Sequence, residues 1–138
     1  TASVLCRLEA AAGKRGISLT LSGEHAMVNG VSQVLDEMVF NLCDNAVKYN
    51  RENGHVHVFV SEGNGHVTLR VEDDGIGIPA ADQVRVFERF YRVDKSHSKE
   101  IGGTGLGLSI VKHGAAFHNA RVALESELGK GTTVTVTF

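Results

Sequence analysis

The sequence predicts an α/β (α+β) two-layer sandwich, with helices covering one face of a mixed, mostly antiparallel sheet. Five short segments alternate apolar and polar residues, and among them lie two longer segments whose apolar residues recur at three and four. Each alternating segment keeps one polar face, as a sheet does when one side is wet and the other is covered.

In chain order, the opening "TASVLCRLEAAAGKRG" reads as the tail of a preceding region, residues 1–16 being the remnant of a connection to another domain. "ISLTLS" places Ile17, Leu19 and Leu21 on one face of a strand. Val31, Val34, Leu35, Met38, Val39, Leu42 and Ala46 then form the apolar stripe of a helix. "HVHVFV" and "VTLRVE" bury Val56, Val58, Val60 and Val67, Leu69, Val71 on either side of the turn "SEGNGH". An antiparallel hairpin fits best, and in its simplest register His55 and His57 face Glu72 and Arg70 while His66 faces Ser61. These three histidines are then solvent-facing side chains rather than zinc ligands. Leu106, Ile110 and Phe117 mark a second helix, and "RVALES" and "TTVTVTF" a last pair of strands. Between hairpin and second helix, "VDKSHSKEIGG", Val93 to Gly103, has no regular apolar spacing and is expected to be a mobile loop.

With 138 residues, 42% hydrophobic and 22% charged, the chain 1–138 reads as a single domain. A domain of that size buries about two thirds of its unfolded surface in one core. A net charge of −2 without a lysine or arginine run gives no footprint for nucleic acid or for an anionic membrane. Cys6 and Cys43 lack C-x-x-C spacing and read as reduced, small apolar residues of a cytoplasmic protein. No signal-like segment and no apolar run of eighteen or more is present, so the chain itself reads as neither secreted nor membrane-spanning, which leaves open that a longer protein it is cut from is one or the other.

Three motifs carry chemistry. On the first helical segment Glu37, Asn41, Asn45 and Lys48 fall within an arc of roughly 80°, beside the apolar stripe. Any one asparagine fits a polar seam that caps neighbouring backbone. As a set, two neutral oxygen ligands with an ammonium one turn on suit a magnesium–phosphate group. In "VEDDGIGIP", Gly75 and Gly77 follow a strand, permitting positive φ or close approach of a flat ligand. Asp73 at the strand end can accept from an exocyclic amine, although "DDG" is also a common turn signal. "GGTGLGLSIVKH" puts a glycine run ahead of a helix whose first N–H groups can point at phosphate. It is not the Rossmann spacing, because Leu108 takes the last glycine place counted from Gly103, and it is not a Walker loop. "GKGT" at Gly129 lacks Ser or Thr directly after Lys130 and reads as a turn between strands.

In this order "NLCDNAVKYN", "DDGIGIP", "VFERFYRVD" and "GGTGLGLSIVKH" resemble four boxes of one domain. They are the N box, first glycine box, F box and second glycine box of the catalytic ATP-binding (HATPase_c) domain of bacterial sensor histidine kinases, within the GHKL superfamily. The resemblance spans Asn41 to His113 and implies the Bergerat ATP-binding fold, shared with gyrase, Hsp90 and MutL, with a mobile ATP lid. It implies that Asn45, with Asn41 beside it, holds the magnesium bridging the phosphates of ATP, and that Lys48 meets phosphate oxygens. Tyr49 would pack on adenine and Asp73 accept from its amine, with Gly75, Gly77 and Ile78 lining the base. Phe87 and Phe90 resemble packing residues, and Arg92 a phosphate contact that acts during transfer. Gly103, Thr104, Gly105, Leu106, Gly107 and Leu108 would form the phosphate loop at the lid's end. The implied activity is that of a protein histidine kinase passing the γ-phosphoryl of Mg-ATP to a histidine, with Asn41, Lys48 and Arg92 as catalytic residues.

Two other functions compete. Hydrolases of the same superfamily place a glutamate general base where Asn41 stands, and a neutral amide cannot take a proton from water. A nucleotide sensor, or a relative that phosphorylates serine on an anti-sigma-type partner, is the third reading; the F box and lid favour the first. Asn50-Arg51 replaces a common Thr-Pro of the family, and Asn119-Ala120 a frequent Gly-Gly. Both departures look structural, since Asn tolerates the left-handed conformation that ends helices. None of the seven histidines, His25, His55, His57, His66, His97, His113 and His118, precedes an acid and then a proline, and the only proline is Pro79. The resemblance therefore implies a phosphoacceptor histidine on a dimerisation domain outside this chain, and a response regulator as partner. It implies a homodimeric full-length protein anchored in the bacterial cell membrane, with this domain cytoplasmic and touching neither membrane nor nucleic acid. The isolated chain is expected to bind ATP without autophosphorylating.

Overall fold

The computed structural model describes residues 2–23, 26–83, 85–88 and 107–138. Phe90, Arg92, the Val93–Gly103 loop and Gly103 through Leu106 of the second glycine box lie outside the described residues. The elements run α1 (Ala2–Lys14), β1 (Ser18–Gly23), α2 (Ser32–Lys48), β2 (His55–Gly63), β3 (His66–Asp73), α3 (Gly107–Phe117), β4 (Arg121–Glu127) and β5 (Gly131–Thr137). The strands form one five-stranded sheet in the order β1-β2-β3-β5-β4. Val56, Val58, Leu69, Val71, Val134 and Val136 are buried in one cluster with Met38, Leu42, Ala46 and Val47 of α2 and Val111 and Ala115 of α3. This is the expected two-layer sandwich.

The sheet is mixed because α2 intervenes between β1 and β2. A strand that returns through a helix runs in the same direction as its predecessor, so β1 and β2 pair in parallel, whereas the other neighbours are antiparallel. The β2–β3 hairpin differs from the expected register by two residues: His57 faces Glu72, and Arg70 faces Phe59. The cause is the turn. Asn64 and Gly65 both have positive φ, 53° and 75°, the two-residue type I′ geometry that lets Gly63 pair with His66. On the uncovered face the Arg70 guanidinium then lies 4.3 Å from the Phe59 ring centroid, with His57 on Phe59 at 3.9 Å. Leu21, expected on the buried face, is exposed at the end of edge strand β1, whereas Ile17 is buried just before that strand.

Residues 1–16 also hold an element that the alternating and helical patterns above did not single out. Val4, Leu5, Leu8 and Ala12 line the buried face of α1 and join the core. Gly16 stops the helix in the left-handed region at φ 67°, and Ile17 N–H returns to Ala12 O at 2.9 Å. The end of α3 uses the same device: Asn119 has φ 55°, its N–H meets Ala116 O at 3.2 Å, and Ala120 N–H meets Ala115 O at 2.8 Å. Asparagine does there what glycine does elsewhere. Helices α2 and α3 approach closely at Gly114, where a Cβ would stand 2.6 Å from Met38 Cγ. Cys43 is fully buried, which pushes its thiol up to about 12, while Cys6 is exposed.

Candidate functional site

One polar strip of α2 is met at both ends by a glycine motif. Asn41 donates from Nδ2 to Glu37 O at 2.7 Å, which fixes its carboxamide against the helix. A Cβ added at Gly107 would stand 3.2 Å from Asn45 Nδ2 and 3.3 Å from both Asn41 Oδ1 and Asn45 Oδ1. The first residue of α3 therefore brings its backbone against both carboxamides, which a larger residue would crowd. Helical N-termini carry unsatisfied N–H groups and partial positive charge, so this junction can receive an anion. Lys48 stands one turn from Asn45, but its Nζ is held by Asp44 Oδ2 at 2.9 Å. Asp44 was not among the residues expected here. The signal was legible, since an acid four residues before a lysine on a helix pairs with it.

The other end of the strip meets the loop after β3. Tyr49 caps α2, its carbonyl accepts from Ile76 N–H at 3.2 Å, and a Cβ at Gly75 would stand 2.5 Å from that same carbonyl oxygen. Gly77 has φ 73° and lies against the backbone of Glu127 and Leu128, so glycine is required there for both conformation and space. Ile78 N–H donates to Ser126 Oγ at 2.8 Å, and Gln83 Nε2 reaches Ile78 O and Ser126 O, each at 3.0 Å. Leu108 of α3 is half-buried against the core. Of the F box, Phe87 is half-buried and Val86 buried.

The two aspartates of "DDG" have opposite surroundings. Asp74 is pulled up by burial, but the His55 N–H at 2.6 Å and the His55 ring at 3.1 Å outweigh this and hold it below its ordinary value. It serves the turn. Asp73 is pushed up to about 6 by burial, against hydrogen bonds from the Gly75 and Thr132 backbone and with some help from the charge of Asp74. Its Oδ1 accepts from Gly75 N–H at 2.9 Å. A desolvated acceptor at the end of a strand, beside a glycine loop, is suited to a planar amine donor.

Two arginines that the motifs did not flag hold this geometry. Arg15, just after α1, donates to Lys48 O at 2.8 Å and also to the carbonyls of Val47 and Asn50, closing the C-terminus of α2. Arg51 donates to Gly75 O and Gly129 O. Asn50 is buried, with Nδ2 on His55 O at 3.0 Å and Oδ1 accepting from Arg51 N–H at 2.8 Å. Both residues of the Asn50-Arg51 departure thus spend their side chains on backbone groups of the neighbouring chain segments. No local pattern marks the two arginines, because their partners are carbonyls distant in sequence.

Residues 30–138 match the family described as histidine kinase-, DNA gyrase B-, and HSP90-like ATPase, and the chain belongs to that family. It is an ATP-binding domain of the sensor histidine kinase type. It is 46% identical over 110 residues to the sensor histidine kinase WalK of Bacillus subtilis, covering 78% of this chain and 17% of WalK. The chain thus spans about a sixth of that relative's length. Among solved structures it is similar to the mycobacterial sensor histidine kinase MprB, with a TM-score of 0.82, 30% identity, and coverage of 99% of this chain and 92% of that one. It is also similar to full-length ShkA, solved in complex with AMPPNP, with a TM-score of 0.82, 28% identity, and coverage of 98% of this chain and 28% of that one.

Proposed function

We propose that this chain is the catalytic domain of a two-component sensor histidine kinase. It binds Mg-ATP along α2 and delivers the γ-phosphoryl to a histidine carried on a dimerisation domain of the same, longer polypeptide. The observation that carries the reading is the meeting of Gly107 with Asn41 and Asn45, which joins an anion-receiving helix terminus to a pair of neutral oxygen donors. Likeness to ShkA, which was solved with an ATP analogue, supports it. Hard divalent cations take carboxamide oxygens, so Asn45 and Asn41 fit magnesium. When bound, that ion offsets phosphate charge. Lys48 exchanges its Asp44 partner for a phosphate oxygen, Asp73 accepts from the adenine amine, and Tyr49, Gly75, Gly77 and Ile78 flank the base. Gly103, Thr104, Gly105, Leu106, Gly107 and Leu108 supply the phosphate loop, and Arg92 the phosphate contact that acts during transfer. Such catalysis works by positioning and charge neutralisation rather than by protein covalent chemistry. A response regulator is the downstream partner, and the full-length homodimer is held at the cell membrane. Calorimetry tests the site: Asn45→Ala should weaken nucleotide binding about tenfold or more in magnesium and much less in its absence, with the fold intact. Unchanged Mg-ATP affinity would make Asn45 structural.

A further inference from the structure

Arg51 lies just beyond the C-terminus of α2, between the buried Asn50 and the start of β2. Its guanidinium joins two loops, donating from Nη2 to Gly75 O at 2.9 Å and to Gly129 O at 2.6 Å. Gly129 returns its own N–H to Ile76 O at 2.8 Å, so the β4–β5 turn is tied to the loop after β3 from both sides of one residue. Gly75 is likewise held at both ends, its N–H on Asp73 Oδ1 at 2.9 Å and its carbonyl on Arg51. One oxygen of Asp73 accepts that N–H and the carboxylate also accepts from the Thr132 backbone, so the orientation of Gly75 is one of the two constraints on its plane. Both bonds come from the two N–H groups of Nη2, whose directions the planar guanidinium fixes, whereas a lysine ammonium rotates on a flexible stem.

We infer that Arg51 is a positioning residue for recognition of the purine amine: it locks Gly75, and through Gly75 it holds the Asp73 carboxylate in the orientation that accepts from the base. The inference rests on the ATP reading above. Its distinctive consequence is that loss of Arg51 reduces the preference for a purine bearing the amine, not merely affinity for nucleotide.

The test compares ATP with purine riboside triphosphate, which lacks the amine, by calorimetry on the parent chain, Arg51→Met and Arg51→Lys. Arg51→Met should bind ATP about tenfold more weakly and the analogue less than about twofold more weakly, because only the amine contact is misaligned. Arg51→Lys should fall between. Hydrogen exchange should quicken at residues 75–78 in Arg51→Met and stay slow in β2 and β3, which also reports that the variant is folded. Should Arg51→Met not fold, Arg51→Lys carries the same comparison. An unchanged preference in the folded variant, whether both affinities persist or both fall together, overturns the positioning role. A parent chain that binds both nucleotides equally would overturn the adenine reading of Asp73 and this role with it. A parent with a preference that the variants keep would sink the role of Arg51 alone.

Discussion

Asp73 and Asp74 share a side chain and a turn, yet burial raises one to about 6 while hydrogen bonds to His55 lower the other. The adjacent letters of "DDG" cannot say which one faces a ligand; the surroundings do. A pH dependence follows. An amine needs the ionised acceptor, and Asp73 is ionised above about pH 6. ATP affinity should therefore be level at neutral pH and fall as the pH drops through that value, by about tenfold per unit well below it, with a proton released on binding. Calorimetry from pH 5 to 8 checks this. Asp73→Asn should weaken ATP at pH 7 and abolish that inflection; if the inflection survives in the variant, another group causes it.

α2 shows how an element prepares a site that it does not complete. Its apolar stripe and its polar strip with Asn41, Asn45 and Lys48 are both periodic, and periodicity was enough to read them. Its C-terminus is different, because Lys48 and Tyr49 sit where helical carbonyls lack partners, and Arg15 supplies donors from another element. Arg15→Ala should lower stability by about 1–3 kcal/mol, as loss of charged hydrogen bonds to part-buried carbonyls does. It should also weaken ATP binding as the last turn frays. Urea unfolding and a nucleotide titration measure the two, and a variant with parental values in both would show that water closes this helix end unaided. α1 has Val4, Leu8 and Ala12 at helical spacing and a glycine stop at Gly16, so it was legible and was passed over as a connection.

Across the whole molecule, the sandwich brings two glycine motifs to one helix, and the proposed function asks for an acceptor beside them. Asn41 is no general base, and no histidine of the sequence has the acceptor context. The chain alone should bind ATP but neither release phosphate at an appreciable rate nor retain an acid-labile label from γ-phosphate. A longer polypeptide carrying the acceptor helix should become labelled, since a tethered nucleophile has a high effective concentration. Acid-labile label on the chain alone, or brisk phosphate release that persists in Asn41→Ala, would overturn this division of labour.

By itself the sequence determined the strands, the two main helices, the two-layer class and the order of four motifs, because period and motif are local properties of a chain. Only the tertiary structure decided that β1 runs parallel to β2, whereas the Asn64-Gly65 turn and the Asp44–Lys48 pair are local signals that were legible and passed over. It alone decided that Arg15 binds carbonyls at the end of α2 and that Arg51 binds carbonyls of two distant loops. Those features depend on which backbone groups the fold leaves without partners, and that is settled only when separate elements meet.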